Sequence, residues 1–184
     1  MAHETDRGNM LGRWAPWYGP GRPPRSYGPA DTYRIAADWL EGLAVADWGC
    51  GYGAFRAHHR GAYLGVDGTA GAADVVADLR SYRTPSEGVL LRHVLEHNPD
   101  WRPILDGAIA SFTRRMVLVV FTPDSPGRLE RLLAHLPELD VCDLALPFAE
   151  IEGAFAAGAV RVRERRHLPT ATGYDGETIW LVER

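Results

Sequence analysis

The sequence predicts a single α/β domain in which a mostly parallel sheet carries helices on both faces and is closed by a C-terminal antiparallel hairpin. Three observations predict it. Strand-length apolar runs alternate with helix-length segments from about residue 44 to 135, the pattern of a parallel sheet with crossover helices. The run Met116-Val117-Leu118-Val119-Val120-Phe121 is apolar throughout, as a central strand covered on both faces must be. The last quarter holds two strand-like stretches, 159–167 with alternating valine and arginine and 177–183, joined by Pro169 to Gly176. With 184 residues, 46% of them hydrophobic and 24% charged, the chain can bury one good core and not two.

The first 29 residues form an arm with Trp14, Trp17, Tyr18 and Tyr27 among Pro16, Pro20, Pro23, Pro24 and Pro29. Prolines at that density rule out a regular helix. Four aromatic rings are expected to pack somewhere, because each gains roughly 1.5–3 kcal/mol on burial. The arm therefore serves as a lid over a ligand, or lies on its own domain or on a dimer partner. The domain proper, 30–184, opens with a helix to about Gly42. Asp31 suits its N-cap, and Tyr33, Ile35, Ala36, Trp39, Leu40 and Leu43 have near-helical spacing. Strands are expected at about 44–48, 62–66, 73–77, 88–92 and 116–121, and helices at about 53–59, 101–113 and 127–135.

The first strand runs into the turn Asp47-Trp48-Gly49-Cys50-Gly51-Tyr52-Gly53. Alternating glycines let the backbone turn tightly and approach a ligand, and this spacing is that of a nucleotide-binding turn. Gly49, Gly51 and Ala54 also satisfy the loose dinucleotide fingerprint. Two further strands end in acids. Tyr63 to Val66 leads to Asp67, placed to accept both hydroxyls of a ribose, and Asp74 to Ala77 leads to Asp78 and Leu79, suited to an exocyclic adenine amine.

Composition removes several functions. A net charge of −4 and a pI near 6.0 argue against nucleic-acid or anionic-membrane partners. No apolar run approaches a membrane span, and the opening MAHETDRGNM lacks the features of a secretory leader, so a cytoplasmic location is expected. Cys50 and Cys142 are too few for a disulfide framework or a cysteine-built zinc site. All 20 basic residues are arginine. Without lysine there is no P-loop lysine, no pyridoxal Schiff base and no tyrosine–lysine dehydrogenase pair. A nicotinamide-dependent reductase would also need a second half-fold that does not fit in this length.

The DWGCGYG turn, Asp67, and the string His93-Val94-Leu95-Glu96-His97 resemble the first motif, the ribose-binding acid and the fourth-strand segment of class I S-adenosylmethionine-dependent methyltransferases of the small-molecule branch. The resemblance covers most of the chain. It implies a Rossmann-like, seven-stranded domain that binds S-adenosylmethionine, releases S-adenosylhomocysteine and methylates an O, N or C atom of a small-molecule acceptor, as a monomer or homodimer. Cofactor contacts are then expected from Asp47, Trp48, Gly49, Cys50, Gly51, Asp67, Gly68, Asp78, Leu79, Arg92 and Tyr27. Trp14, Tyr18, Tyr33 and Tyr174 are expected at the acceptor. A protein of this fold that binds the cofactor without transferring methyl is the alternative.

Methyl transfer from a sulfonium needs alignment first and a base only when the acceptor must lose a proton. His93 is the first candidate base, at the carboxyl end of the fourth strand where open α/β sheets bind ligands; Glu96 and His97 are alternatives. His93, Glu96 and His97 are also the only histidines and carboxylate that approach metal-ligand spacing, and no metal is expected. His58 and His59 are expected at the surface, and Arg161, Arg163, Arg165 and Arg166 on a solvated strand face.

Overall fold

The computed structural model describes residues 11–17, 31–136, 141–171 and 174–184. Helix α1 (Asp31–Trp39) precedes strands β1 (Val45–Trp48), β2 (Tyr63–Asp67), β3 (Val75–Val76) and β4 (Ser86–Arg92). Helix α2 (Trp101–Ser111) runs directly into β5 (Phe112–Val120). A ribbon of β6 (Glu130–Leu136) and β7 (Val141–Ala145) follows, then α3 (Phe148–Ala157), β8 (Arg161–Leu168) and β9 (Glu177–Glu183).

Seven strands form one sheet in the order β3-β2-β1-β4-β5-β9-β8. Strands β1 to β5 pair in parallel, and β9 runs antiparallel to both β5 and β8. Strand alternation divides the core. Ala46, Trp48, Val89, Leu91, Met116, Leu118 and Trp180 face Ile104, Leu105, Ala108, Ile151 and Phe155 from α2 and α3. Val45, Leu90, Val117, Val119, Ile179 and Leu181 face Ala36 of α1 and Leu40 just after it. The expected mostly parallel sheet with a reversed C-terminal strand is present, and helices cover both faces.

Three elements differ from expectation. Residues 127–135 were expected to be helical; they lie instead largely in β6. Strand β7 is buried along its whole length, so its backbone groups require a ladder partner. Strand β6 supplies one, from Glu130↔Ala145 to Leu136↔Val141, with two register shifts. Leu129, Leu132 and Leu133 remain exposed. The helix after the glycine turn shrinks to a 3-10 turn at Ala54–Ala57. Helix α3 was not anticipated; its first turn is capped by Asp124, whose carboxylate accepts from Phe148 N at 2.9 Å.

The glycine turn depends on its missing side chains. Gly49 has φ +77°, and a Cβ there would lie 2.4 Å from Cγ2 of Val94, a stiff, buried side chain. Gly49→Ala is therefore expected to cost about 2–4 kcal/mol of unfolding free energy, combining left-handed strain with overpacking. Gly127 has φ +80° with nothing within 4 Å of its would-be Cβ, and Gly127→Ala should cost only the strain, about 1–2 kcal/mol. Urea unfolding of both variants checks this; equal losses would contradict tight packing of the turn on Val94.

Candidate active site

Strands β1, β2 and β4 end at one edge of the sheet, and the glycine turn leaves β1 there. Gly49, Gly51 and Gly53 all have positive φ. Gly49 N and Cys50 N donate to Val66 O at 2.7 and 3.2 Å, which binds the turn to β2. Asp67 adds a second tie, accepting from Gly51 N on one oxygen (3.0 Å) and Thr69 N on the other (2.8 Å). Burial raises its pKa, with these backbone donors acting against the rise. Asp47 is also buried; burial pushes its carboxyl up to about 7 against the hydroxyl of Tyr63, which donates to it at 2.7 Å. Burial and the nearby acids push the Cys50 thiol up to about 12, so it stays protonated at neutral pH.

Asp78 follows β3 and is gripped by the guanidinium of Arg80 at 2.7 and 3.1 Å and by Arg80 N at 3.0 Å. The Arg80 hydrogen bonds hold it below the usual carboxylate range. Leu79 is buried beside it. Gly68 accepts a backbone hydrogen bond from Gly12 at 2.7 Å. The described part of the arm thus touches the tip of β2, and Tyr52 of the glycine turn donates to Trp17 O at 3.3 Å.

Two expected cofactor contacts have other employment. Trp48 shares the face of Ala46, is 0% exposed and packs edge-on against Tyr82, so its side chain belongs to the core. Arg92 shares the face of Leu90 toward α1. Its guanidinium donates to Glu177 (2.6 Å), Thr32 (3.1 Å) and Tyr33 (3.1 Å), and it sits over the Tyr33 ring. Tyr33, expected at the acceptor, is therefore joined to Arg92 and stacks on His58. His59 is buried, with Nε2 3.0 Å from Leu43 O, and not at the surface. Tyr18 and Tyr27 lie outside the described residues.

The catalytic candidates separate. His93 has φ +58°, a conformation uncommon outside glycine. Its N–H donates to Val119 O at 3.0 Å, its Nε2 lies 2.5 Å from Glu177, and its ring meets Phe121 edge-on. Burial and the Arg92 charge lower its pKa to about 4. Glu177 is fully buried and also accepts from Thr32 at 2.9 Å. Burial works against its charge, but its donors outweigh that and hold its pKa down. Glu96 is 0% exposed; it accepts from Phe121 N at 3.0 Å, and burial pushes it up to about 7.

His97 belongs to a different group. Its Nδ1 lies 3.3 Å from Asp143, which also meets His135 Nε2 at 2.7 Å and Tyr174 OH at 3.1 Å. Trp14 and Trp17 stand edge-on to His97 and His135, and Phe121 contacts His97 and Tyr174. Trp14 thus lies beside His97, and Tyr174 beside Phe121 and Asp143. Asp143, His135 and Glu177 were not singled out from sequence. An acid inside the apolar run Val141-Cys142-Asp143-Leu144-Ala145 was the one available signal. Arg163, Arg165 and Arg166 of β8 pair with Glu183, Glu152 and Glu164 respectively.

No family model and no curated protein matches the sequence. Solved structures do resemble it. The Burkholderia thailandensis 1,6-didemethyltoxoflavin-N1-methyltransferase, with its acceptor and S-adenosylhomocysteine bound, is 19% identical over 83% of this chain and 78% of its own, with a TM-score of 0.65. The magnesium protoporphyrin IX methyltransferase of Synechocystis, with S-adenosylmethionine bound, is 18% identical over 97% of this chain and 94% of its own, with a TM-score of 0.60. A S-adenosylmethionine-dependent methyltransferase of Mesorhizobium loti is 13% identical over 84% and 96%, also at 0.60. The chain has the class I methyltransferase fold. Its reversed β9 between β5 and β8 gives the mixed end of that sheet, and the acids gather at the carboxyl ends of β1 to β3. Among the described residues no helix is long and apolar enough to cross a membrane.

Asp47 generates a pH prediction. Its native pKa, raised to about 7, means that the folded state binds a proton more tightly than the unfolded state. Its contribution is full below about pH 4 and is lost as pH rises through about 7. Asp47→Asn removes that loss, so the variant should gain about 2–4 kcal/mol on wild type between about pH 4 and 8. Denaturant melts across that range check it; parallel curves would contradict a neutral buried Asp47.

Proposed function

We propose that this protein is an S-adenosylmethionine-dependent methyltransferase that modifies a small-molecule acceptor. The observation that carries the reading is the joined geometry of the glycine turn and Asp67, at the edge of a class I methyltransferase sheet. The donor set fits the cofactor. Each Asp67 oxygen takes one backbone hydrogen bond and keeps lone-pair capacity for a ribose hydroxyl. Gly49, Gly51 and Gly53 hold the backbone at positive φ, where it can approach a ligand closely. Asp47 and Gly68 flank the turn, and Asp78 with Leu79 lies on the adenine side.

The bound cofactor supplies an electrophilic methyl group on a sulfonium sulfur. The chain's own residues then align an acceptor and exclude water. Trp14 and Trp17, tied to Tyr52 and Gly68 through the arm, act as a cover over the acceptor side. Phe121, Tyr174 and His97 shape its wall. His93 is neutral at physiological pH, with its Nε2 bonded to Glu177. A conjugate acid of pKa about 4 makes it a weak proton sink, so its contribution is to position the acceptor by hydrogen bonding. This suits a nitrogen, or an oxygen already close to its reactive form. The acidic chain supports a small acceptor over a nucleic acid.

The assay is release of S-adenosylhomocysteine with small nitrogen and oxygen nucleophiles. His93→Ala should lower turnover roughly 10- to 100-fold with cofactor affinity unchanged. Because His93 stays neutral, the wild-type rate attributable to it should be flat between about pH 5.5 and 8. A rate falling tenfold per pH unit below about 6.5, abolished as a dependence in His93→Ala, would restore His93 as the main base. Cofactor binding without product from any acceptor would favour a non-methylating protein of this fold.

A further inference from the structure

We propose that His97, His135 and Asp143 form a binding site for one divalent transition-metal ion beside the acceptor pocket. The three residues come from separate segments: the 3-10 turn Leu95–His97 after β4, strand β6 and strand β7. Their donor atoms all lie within 4.8 Å of one another. Asp143 Oδ1 is the point of convergence, 2.7 Å from His135 Nε2 and 3.3 Å from His97 Nδ1. Bonds of about 2.0–2.2 Å to a shared ion place neighbouring donors about 3–3.5 Å apart, so two of these separations need only small adjustments.

The donor chemistry selects the class of ion. Two imidazoles and one carboxylate suit zinc, manganese, iron or cobalt, whereas calcium and magnesium favour oxygen shells. The surroundings have the parts of an outer shell. Tyr174 OH donates to the second oxygen of Asp143 at 3.1 Å, orienting the carboxylate as such partners do at metal centres. Asp143 is 2% exposed, while the His135 side chain is 21% exposed and gives the site its contact with solvent. His97 Nδ1 is also 3.2 Å from Cys142 O, a contact that coordination through that nitrogen would replace.

Three protein ligands leave coordination positions for an exogenous oxygen or nitrogen. Trp14 stands over His97 and Trp17 over His135, which puts those positions next to the aromatic cover. The site belongs to the ribbon and the turn after β4, not to the glycine turn, so it stands or falls independently of the cofactor assignment.

The test uses full-length, untagged protein stripped with a chelator and titrated with Co²⁺. Bound metal is read by visible absorption and by elemental analysis after dialysis. One equivalent is expected in wild type, with affinity weakened at least 10-fold in both His135→Ala and Asp143→Asn. The His135 side chain is partly exposed, so His135→Ala is expected to fold and decides the matter if Asp143→Asn does not fold. Substantially less than one equivalent in wild type, or undiminished affinity in His135→Ala, would overturn the site.

Discussion

A carboxylate taken out of water must find donors or lose its charge, and three buried acids at the carboxyl edge of this sheet organise what surrounds them. Asp67 is met by two backbone N–H groups and ties the glycine turn to β2. Glu177 collects Arg92, His93 and Thr32, and so locks β9 to β4 and α1. Asp143 gathers His97, His135 and Tyr174, and joins the β6–β7 ribbon to the turn after β4. The first acid has backbone partners and room for a ligand. The second is saturated by side chains and acts as a clamp. The third stands between them in character, held by groups that can also bind other things.

This division explains the two histidines of the HVLEH string. Four residues apart, both contact Phe121 but meet different acids. His93 is drawn to Glu177 and shares that carboxylate with Arg92, whose charge helps to keep the imidazole neutral. His97 lies beside Asp143; burial opposes its protonation, but Asp143 and Glu96 outweigh it and raise its pKa. The arm bridges the two halves of the edge. It touches Tyr52 and Gly68 on the glycine-turn side, and His97 and His135 on the other.

What was legible in the sequence was local. The glycine turn, the acids at the ends of β1 and β2, and the apolar run of β5 each carry their meaning within a few residues. The segment of β6 was expected to be a helix, because the demand for a strand there comes from the backbone of β7, which lies outside its own local sequence. With β6 taken for a helix, nothing brought His135 to Asp143 or either to His97. Arg92 and Glu177 are 85 residues apart, and no local pattern announces such a pair. Trp48 lies within the turn motif, but strand alternation sends its side chain into the core, on the face away from Asp47.

On this geometry the Asp67-anchored glycine turn is proposed to hold S-adenosylmethionine. A thermal-shift titration with S-adenosylmethionine, S-adenosylhomocysteine, NAD and NADP, on wild type and Asp67→Ala, tests it most directly. Stabilisation by the first two ligands alone is expected, on the order of 2.7 kcal/mol at about 100 times the dissociation constant, with its loss in Asp67→Ala. Stabilisation only by NAD or NADP, or a shift with S-adenosylmethionine that Asp67→Ala leaves intact, would contradict it.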